Sequence, residues 1–103
     1  MTDHITATIN TRANVYFDGK CVSHSLTLPD GSRKSVGVIL PATLTFTTGA
    51  PERMELLEGS CRVRHAGAAG WDDHVGGQSF SVAGDSSFEI EVTQTLHYIC
   101  HFV

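Results

Sequence analysis

The sequence is short of most signals that would identify a function at a glance. It holds three cysteines, Cys21, Cys61 and Cys100, and no CxxC pair. An odd number at wide spacing argues against a disulfide framework and gives no cysteine support to a zinc site. The thiols are expected to be small buried side chains. Lysine and arginine number 7 against 11 acidic residues, for a net charge of -4. No basic run is present to track a phosphate backbone, which excludes a nucleic-acid polymer as partner. No apolar run approaches the roughly 20 residues of a membrane-spanning helix, the longest being about Val36 to Leu40. The N-terminus is polar and threonine-rich, without the basic-then-apolar order of a secretory signal, so a cytoplasmic protein is expected. No Gly-rich loop leads into a helix, and no G-x-S-x-G elbow occurs.

What is present fits one domain. The 103 residues are 41% hydrophobic and 17% charged, an ordinary globular balance. Residues 1–13 lack a steady period and read as a flexible or loosely docked N-terminal arm. From Asn14 the pattern changes to short strands. Val22, His24, Leu26 and Leu28 alternate with Cys21, Ser23, Ser25 and Thr27. Pro29-Asp30-Gly31-Ser32 supplies a turn, and Lys34 to Leu40 returns as a hairpin. Further strands are expected at 43–48, 52–57, 60–65, 71–75, 78–82, 88–92 and 96–103. About eight or nine short strands and no convincing helix predict an all-β sandwich or barrel over residues 14–103.

The histidines do not gather. Only His97 and His101 are close, and four residues along a strand would separate them by about 13 Å, too far to share one metal. The segment Thr45-x-Thr47, then Glu52, then Gly59 resembles the first cupin motif, with hydroxyl residues in place of the two metal histidines. At the second cupin motif, Gly77 is followed by Ala83, and Phe88 falls at the histidine position. The resemblance implies a single jelly-roll-like cupin-type barrel. Of its ligand positions only Glu52 keeps a ligand type, whereas tight metal binding takes about three or four. A metal-free site that holds an organic or anionic ligand is the expectation.

A closer resemblance is carried by ordered fragments. These are Asn14-x-Tyr16-Phe17-x-Gly19-Lys20, Arg33-x-Ser35-Val36-Gly37-Val38, Thr45-Phe46-Thr47-Thr48 and Pro51-Glu52-x-Met54. Trp71, Gly77-x-Ser79-Phe80-x-Val82-x-Gly84, Ser86-x-Phe88 and Tyr98-x-Cys100-x-Phe102 follow. Together they are similar to the pyrimidine/purine nucleoside phosphorylase family over about residues 14–103. The chain departs from that pattern in its longer arm and in Ala83 before Gly84. The resemblance implies a homodimer that cleaves nucleosides with inorganic phosphate as co-substrate and needs no other cofactor.

That chemistry needs an anion holder and a group for the sugar. Arg33 is the expected phosphate residue, because its fork matches an oxyanion, with Ser35 on the same strand face and Lys20 as a second charge. Glu52 is expected to meet the ribose hydroxyls and the charge that develops on the sugar. Arg33 and Glu52 are thus the catalytic candidates. Thr45 and Thr47 are expected to point into the cavity, Phe88 to wall it and Tyr98 to stack on a base or donate its hydroxyl. Phe46, Trp71 and Phe80 read as packing residues. The alternatives are a non-catalytic, metal-free cupin that binds a small sugar or nucleotide, and a metal-dependent cupin enzyme.

Overall fold

The alternating segments do form strands, and they join into one antiparallel sheet. The computed structural model describes residues 3–103; Met1 and Thr2, the start of the expected arm, lie outside them. Among the described residues nine strands are present: β1 (Thr8–Ile9), β2 (Asn14–Tyr16), β3 (Cys21–Thr27), β4 (Arg33–Ile39), β5 (Ala42–Thr47), β6 (Glu52–His65), β7 (Asp72–Val75), β8 (Ser79–Val82) and β9 (Ser87–Phe102). A single 3-10 turn, Phe17–Gly19, interrupts them. The all-β expectation holds.

β9 is the spine. Its second half pairs with β4, Ser35 opposite Cys100, and its first half with β5, Phe46 opposite Phe88. Its other edge pairs with β6 along nearly its full length. β7 and β8 pair with β6, and β1 and β2 with β3. The sheet curls around an apolar interior in which Leu56, Val63, Ile90 and Leu96 are fully buried. Each such side chain contributes about 1.5–3 kcal/mol by leaving water. The curl does not close by hydrogen bonds among the described residues: β2 pairs only with β3 and β5 only with β9. The expected barrel is therefore an open one, with a seam between β5 and the β2–turn segment.

Two strands are longer than the alternation predicts. Residues 52–57 and 60–65 belong to one strand, as do 88–92 and 96–102. Gly59, read as a boundary, sits instead in a stretch of register shifts between β6 and β9. Its φ is +104°, and a Cβ there would stand 2.3 Å from the Thr95 carbonyl oxygen. Glycine lets the two backbones touch, and the bulge bends the pair without ending it.

β3 buries residues on both faces. Cys21 and Ser23 turn inward, while Leu26 is buried on the outer side. There Leu26, Val36, Leu57 and Ile99 share a cleft with Ile5, Ala7 and Ile9 of the N-terminal segment. Thr8 and Ile9 pair with Thr27 and Leu26. Residues 3–9 thus run against the outer wall of the sheet.

Candidate functional site

The open seam leads into a cavity of about 310 Å³. Its size is at the lower end of the range of small-molecule sites, about 300–1,000 Å³. The inward faces of β3, β4 and β9 line one side, and three successive residues of β5, Thr45, Phe46 and Thr47, form its margin at the strand's free edge. Glu52, the first residue of β6, stands at the side.

The deep polar groups form two short chains. The Tyr98 hydroxyl contacts the Cys21 sulfur at 3.6 Å and the Ser23 hydroxyl. The Cys100 thiol bridges the Glu52 carboxyl and Ser35. Burial raises the Tyr98 phenol and the Cys21 thiol above their ordinary values, and pushes Cys100 up to about 12. Glu52, half-buried, is likewise raised by loss of solvent, with its bond to Cys100 opposing the shift. Cys21, Glu52, Tyr98 and Cys100 are thereby drawn toward their neutral forms. A cavity of that character suits an uncharged ligand with hydroxyls better than an ion.

The structure gathers Ser35, Glu52, Phe88 and Tyr98 around this cavity, as the sequence reading asked. Thr45 and Thr47 border it, but from the other face of their strand. Leu44 and Phe46 turn toward the core, and the two threonines are exposed. Arg33 stands apart. It is exposed and borders a second cleft, of about 590 Å³, together with Ser25, Thr27 and Lys34. Phe102 borders both spaces and stands between them. Lys20 is exposed beside the 3-10 turn and borders neither. No lysine, arginine or histidine side chain among the described residues lines the cavity itself.

His97 and His101 both lie on the outer face of β9. His97 faces Glu58, and buried His101 sits between Lys34 and Glu55. Among the described residues no group of three or more His, Cys, Asp or Glu side chains is placed to hold a metal ion. The donors at the cavity are one carboxyl and two protonated thiols without an imidazole, which does not fit a tight transition-metal site.

Several contributors were not singled out in the sequence. Cys21 and Cys100, read as inert filling, are polar partners of Tyr98 and Glu52. Tyr16, Phe17 and Phe102 make an aromatic rim, each between 43% and 49% exposed. The available signal was the pair Tyr16-Phe17 set directly before Asp18-Gly19, a turn-forming dipeptide.

Comparison with known proteins agrees with this arrangement. A family model described as pyrimidine/purine nucleoside phosphorylase matches residues 11–102. A pyrimidine/purine nucleoside phosphorylase of Leptothrix cholodnii is 66% identical over 99% of both chains. A crystal structure of a protein of unknown function from Acinetobacter sp. ADP1 superposes with a TM-score of 0.92 at 45% identity, over 100% of this chain and 98% of that one. The cupin domain of Schizosaccharomyces pombe Cnp3 shares the fold, with a TM-score of 0.64 at 14% identity over 90% of this chain and 69% of that one. The fold is thus cupin-type, and the chain belongs to the pyrimidine/purine nucleoside phosphorylase family.

Proposed function

We propose that this protein cleaves purine and pyrimidine nucleosides with inorganic phosphate, releasing a free base and ribose 1-phosphate. A phosphate oxygen forms the new bond to C1′ of the ribose. The C1′–N bond breaks, its electron pair leaves with the base, and the base takes up the proton that the attacking hydrogen phosphate gives up. No covalent enzyme intermediate and no redox partner are needed.

One observation carries the reading: a cavity that bears hydroxyls and one half-buried carboxyl shares a wall, Phe102, with a cleft that holds an exposed arginine. The nucleoside is uncharged and fits the cavity. Glu52 and Ser35 offer partners for ribose hydroxyls. A Glu52 carboxylate stripped of water is strengthened against the positive charge that develops on the sugar. Arg33 is the phosphate residue of this proposal. Its guanidinium has no ion-pair partner among the described residues, and its fork suits an oxyanion. The unpaired edge of β5 adds backbone donors at the cavity margin. Holding the anion against the sugar then supplies the largest part of the acceleration. Lys20 borders neither the cavity nor the cleft and is given no contact with the phosphate in this reading.

The reading includes a homodimer in the cytoplasm. Exposed Ile9 and Val15 on the β1–β2 edge suit self-association, which the solution mass from sedimentation equilibrium would test. No helix among the described residues is long and apolar enough to cross a membrane.

Incubation with uridine or inosine tests the activity. Base should be released only when phosphate is supplied, with ribose 1-phosphate formed in equal amount. Release at the same rate without phosphate makes the protein a hydrolase. Stabilisation by nucleoside with no turnover makes it a binding module. Arg33→Ala should raise the KM for phosphate at least about tenfold, the scale of one lost charge-assisted bond pair.

A further inference from the structure

Phe17 has a backbone conformation that its side chain disfavours. Its φ is 52°, and it is followed by Asp18 at 54° and Gly19 at 90°. Glycine takes such angles freely, whereas a bulky residue there is a true outlier, kept only where the surroundings over-determine it. The chain places glycine at the third of these positions and keeps the strain at the first.

Burial of the ring does not account for this, since Phe17 is 43% exposed. What the turn does is aim the ring. It extends from the end of β2 over the seam to β5 and meets Phe46 edge-on, with centroids 5.2 Å apart and planes at 79°. Phe46 is in turn stacked on Phe88 at 5.5 Å, and Phe88 is 3% exposed. A half-exposed ring at the mouth is thus backed by a column of rings anchored in the core.

The chemistry of the mouth is equally one-sided. Tyr16, Phe17, Phe46 and Phe102 line it, while Glu52, Ser35 and Tyr98 supply polar groups deeper in or beside the cavity. The aromatic rim carries no amide or guanidinium that could read the edge of one base and reject another. Every nucleobase has a π-face, so stacking accepts them all.

We infer that Phe17 is the stacking residue for the nucleobase, held by a strained turn so that its ring stands over the cavity mouth before a ligand arrives and takes purines and pyrimidines alike. This rests on the phosphorolysis reading for its substrate. It adds the residue and the physical origin of a broad base range: affinity from a ring face, discrimination from none.

The test is Phe17→Gly, which removes the ring and places at that φ the one residue suited to it, so the variant should fold; circular dichroism checks this. The KM for both uridine and inosine should rise about ten- to a hundredfold, the scale of one lost aromatic stack, with kcat changed far less. Phe17→Tyr and Phe17→Trp should restore both values. A folded Phe17→Gly with the wild-type KM for both nucleosides overturns the inference. Calorimetric binding of uracil and hypoxanthine separates this from the activity itself. If the wild type shows no phosphorolysis, weaker binding of both bases by Phe17→Gly still supports the stack, and equal binding overturns it.

Discussion

The phenolic oxygen of Tyr98 lies 3.6 Å from the sulfur of Cys21, joining the spine strand to β3 across 77 residues of sequence. The same hydroxyl also meets Ser23. Tyr98 is only 6% exposed, so its place is in the wall of the cavity and not on a rim where a base could lie flat against it. Tyr98→Phe deletes the hydroxyl and leaves its partners facing a ring edge. A lost bond of this kind costs about 1 kcal/mol, which lowers the melting temperature of a domain this size by about 4–8 °C. Thermal melts followed by circular dichroism measure it; an unchanged midpoint would show that the contact adds nothing.

Glu52 makes stability depend on pH in the less common direction. Its folded-state pKa is raised by burial, so the folded protein favours the protonated carboxyl more than the unfolded chain does. Its contribution is therefore fully present below the ordinary carboxylate pKa and is lost as pH rises through the raised one. Glu52→Gln should remove that slope, seen as a wild-type-minus-variant difference in denaturant midpoint that grows from acid toward neutral pH. The same variant should lower kcat by about a hundredfold or more, the scale of losing one transition-state electrostatic partner. In the wild type, turnover should fall as acid protonates Glu52.

His101 works in the opposite sense. It is 7% exposed on the outer wall, with Lys34 on one ring nitrogen and Glu55 on the other. Burial lowers its pKa, Glu55 pulls it back up, and Lys34 and Arg53 lower it further. Stability is thus whole above the ordinary histidine pKa and falls as pH drops from there through the lowered one. His101→Gln should flatten the unfolding profile between neutral and mildly acidic pH, read from urea midpoints at each pH. An identical slope in both proteins would place the acid sensitivity elsewhere.

Gly59 and Gly70 make a matched pair. A Cβ at Gly59 would sit 2.3 Å from the Thr95 carbonyl at a φ of +104°, whereas at Gly70 nothing lies within 4 Å. Gly59→Ala should therefore cost about 3 kcal/mol or more, in the range left by strain and backbone clash, while Gly70→Ala should stay within about 0.5 kcal/mol of wild type. Denaturant midpoints distinguish them. Equal midpoints would mean that β6 and β9 can part at the bulge without loss.

The alternation of residues was enough to recover the all-β class and most strand positions; Ser35, Glu52, Phe88 and Tyr98, which line one cavity, were singled out through the motif and family resemblance. It failed where its signal has two causes. Gly59 looks the same in sequence whether it ends a strand or lets two backbones touch. Thr93-Gln94-Thr95 interrupts the apolar pattern of β9, yet the strand runs on: Gln94 pairs with Ser60 between two register shifts, and the Ser60 and Thr93 hydroxyls meet. Thr45 and Thr47 alternate with Leu44 and Phe46, and periodicity alone cannot say which set faces inward; the stack of Phe46 on Phe88 decides it. The separation of Arg33 from the cavity involves Phe102, which lies 69 positions further along the chain and is invisible to local pattern.

The missing ladder between β5 and β2 has a kinetic meaning. In a fully bonded barrel, admitting a molecule through the wall would break several backbone bonds together. Here the lips meet at an edge-to-face ring contact, worth about 1 kcal/mol, so a molecule can pass between them while every strand stays paired. Substrate entry and product departure can share that one flank, and breathing of the wall need not cost the protein its fold.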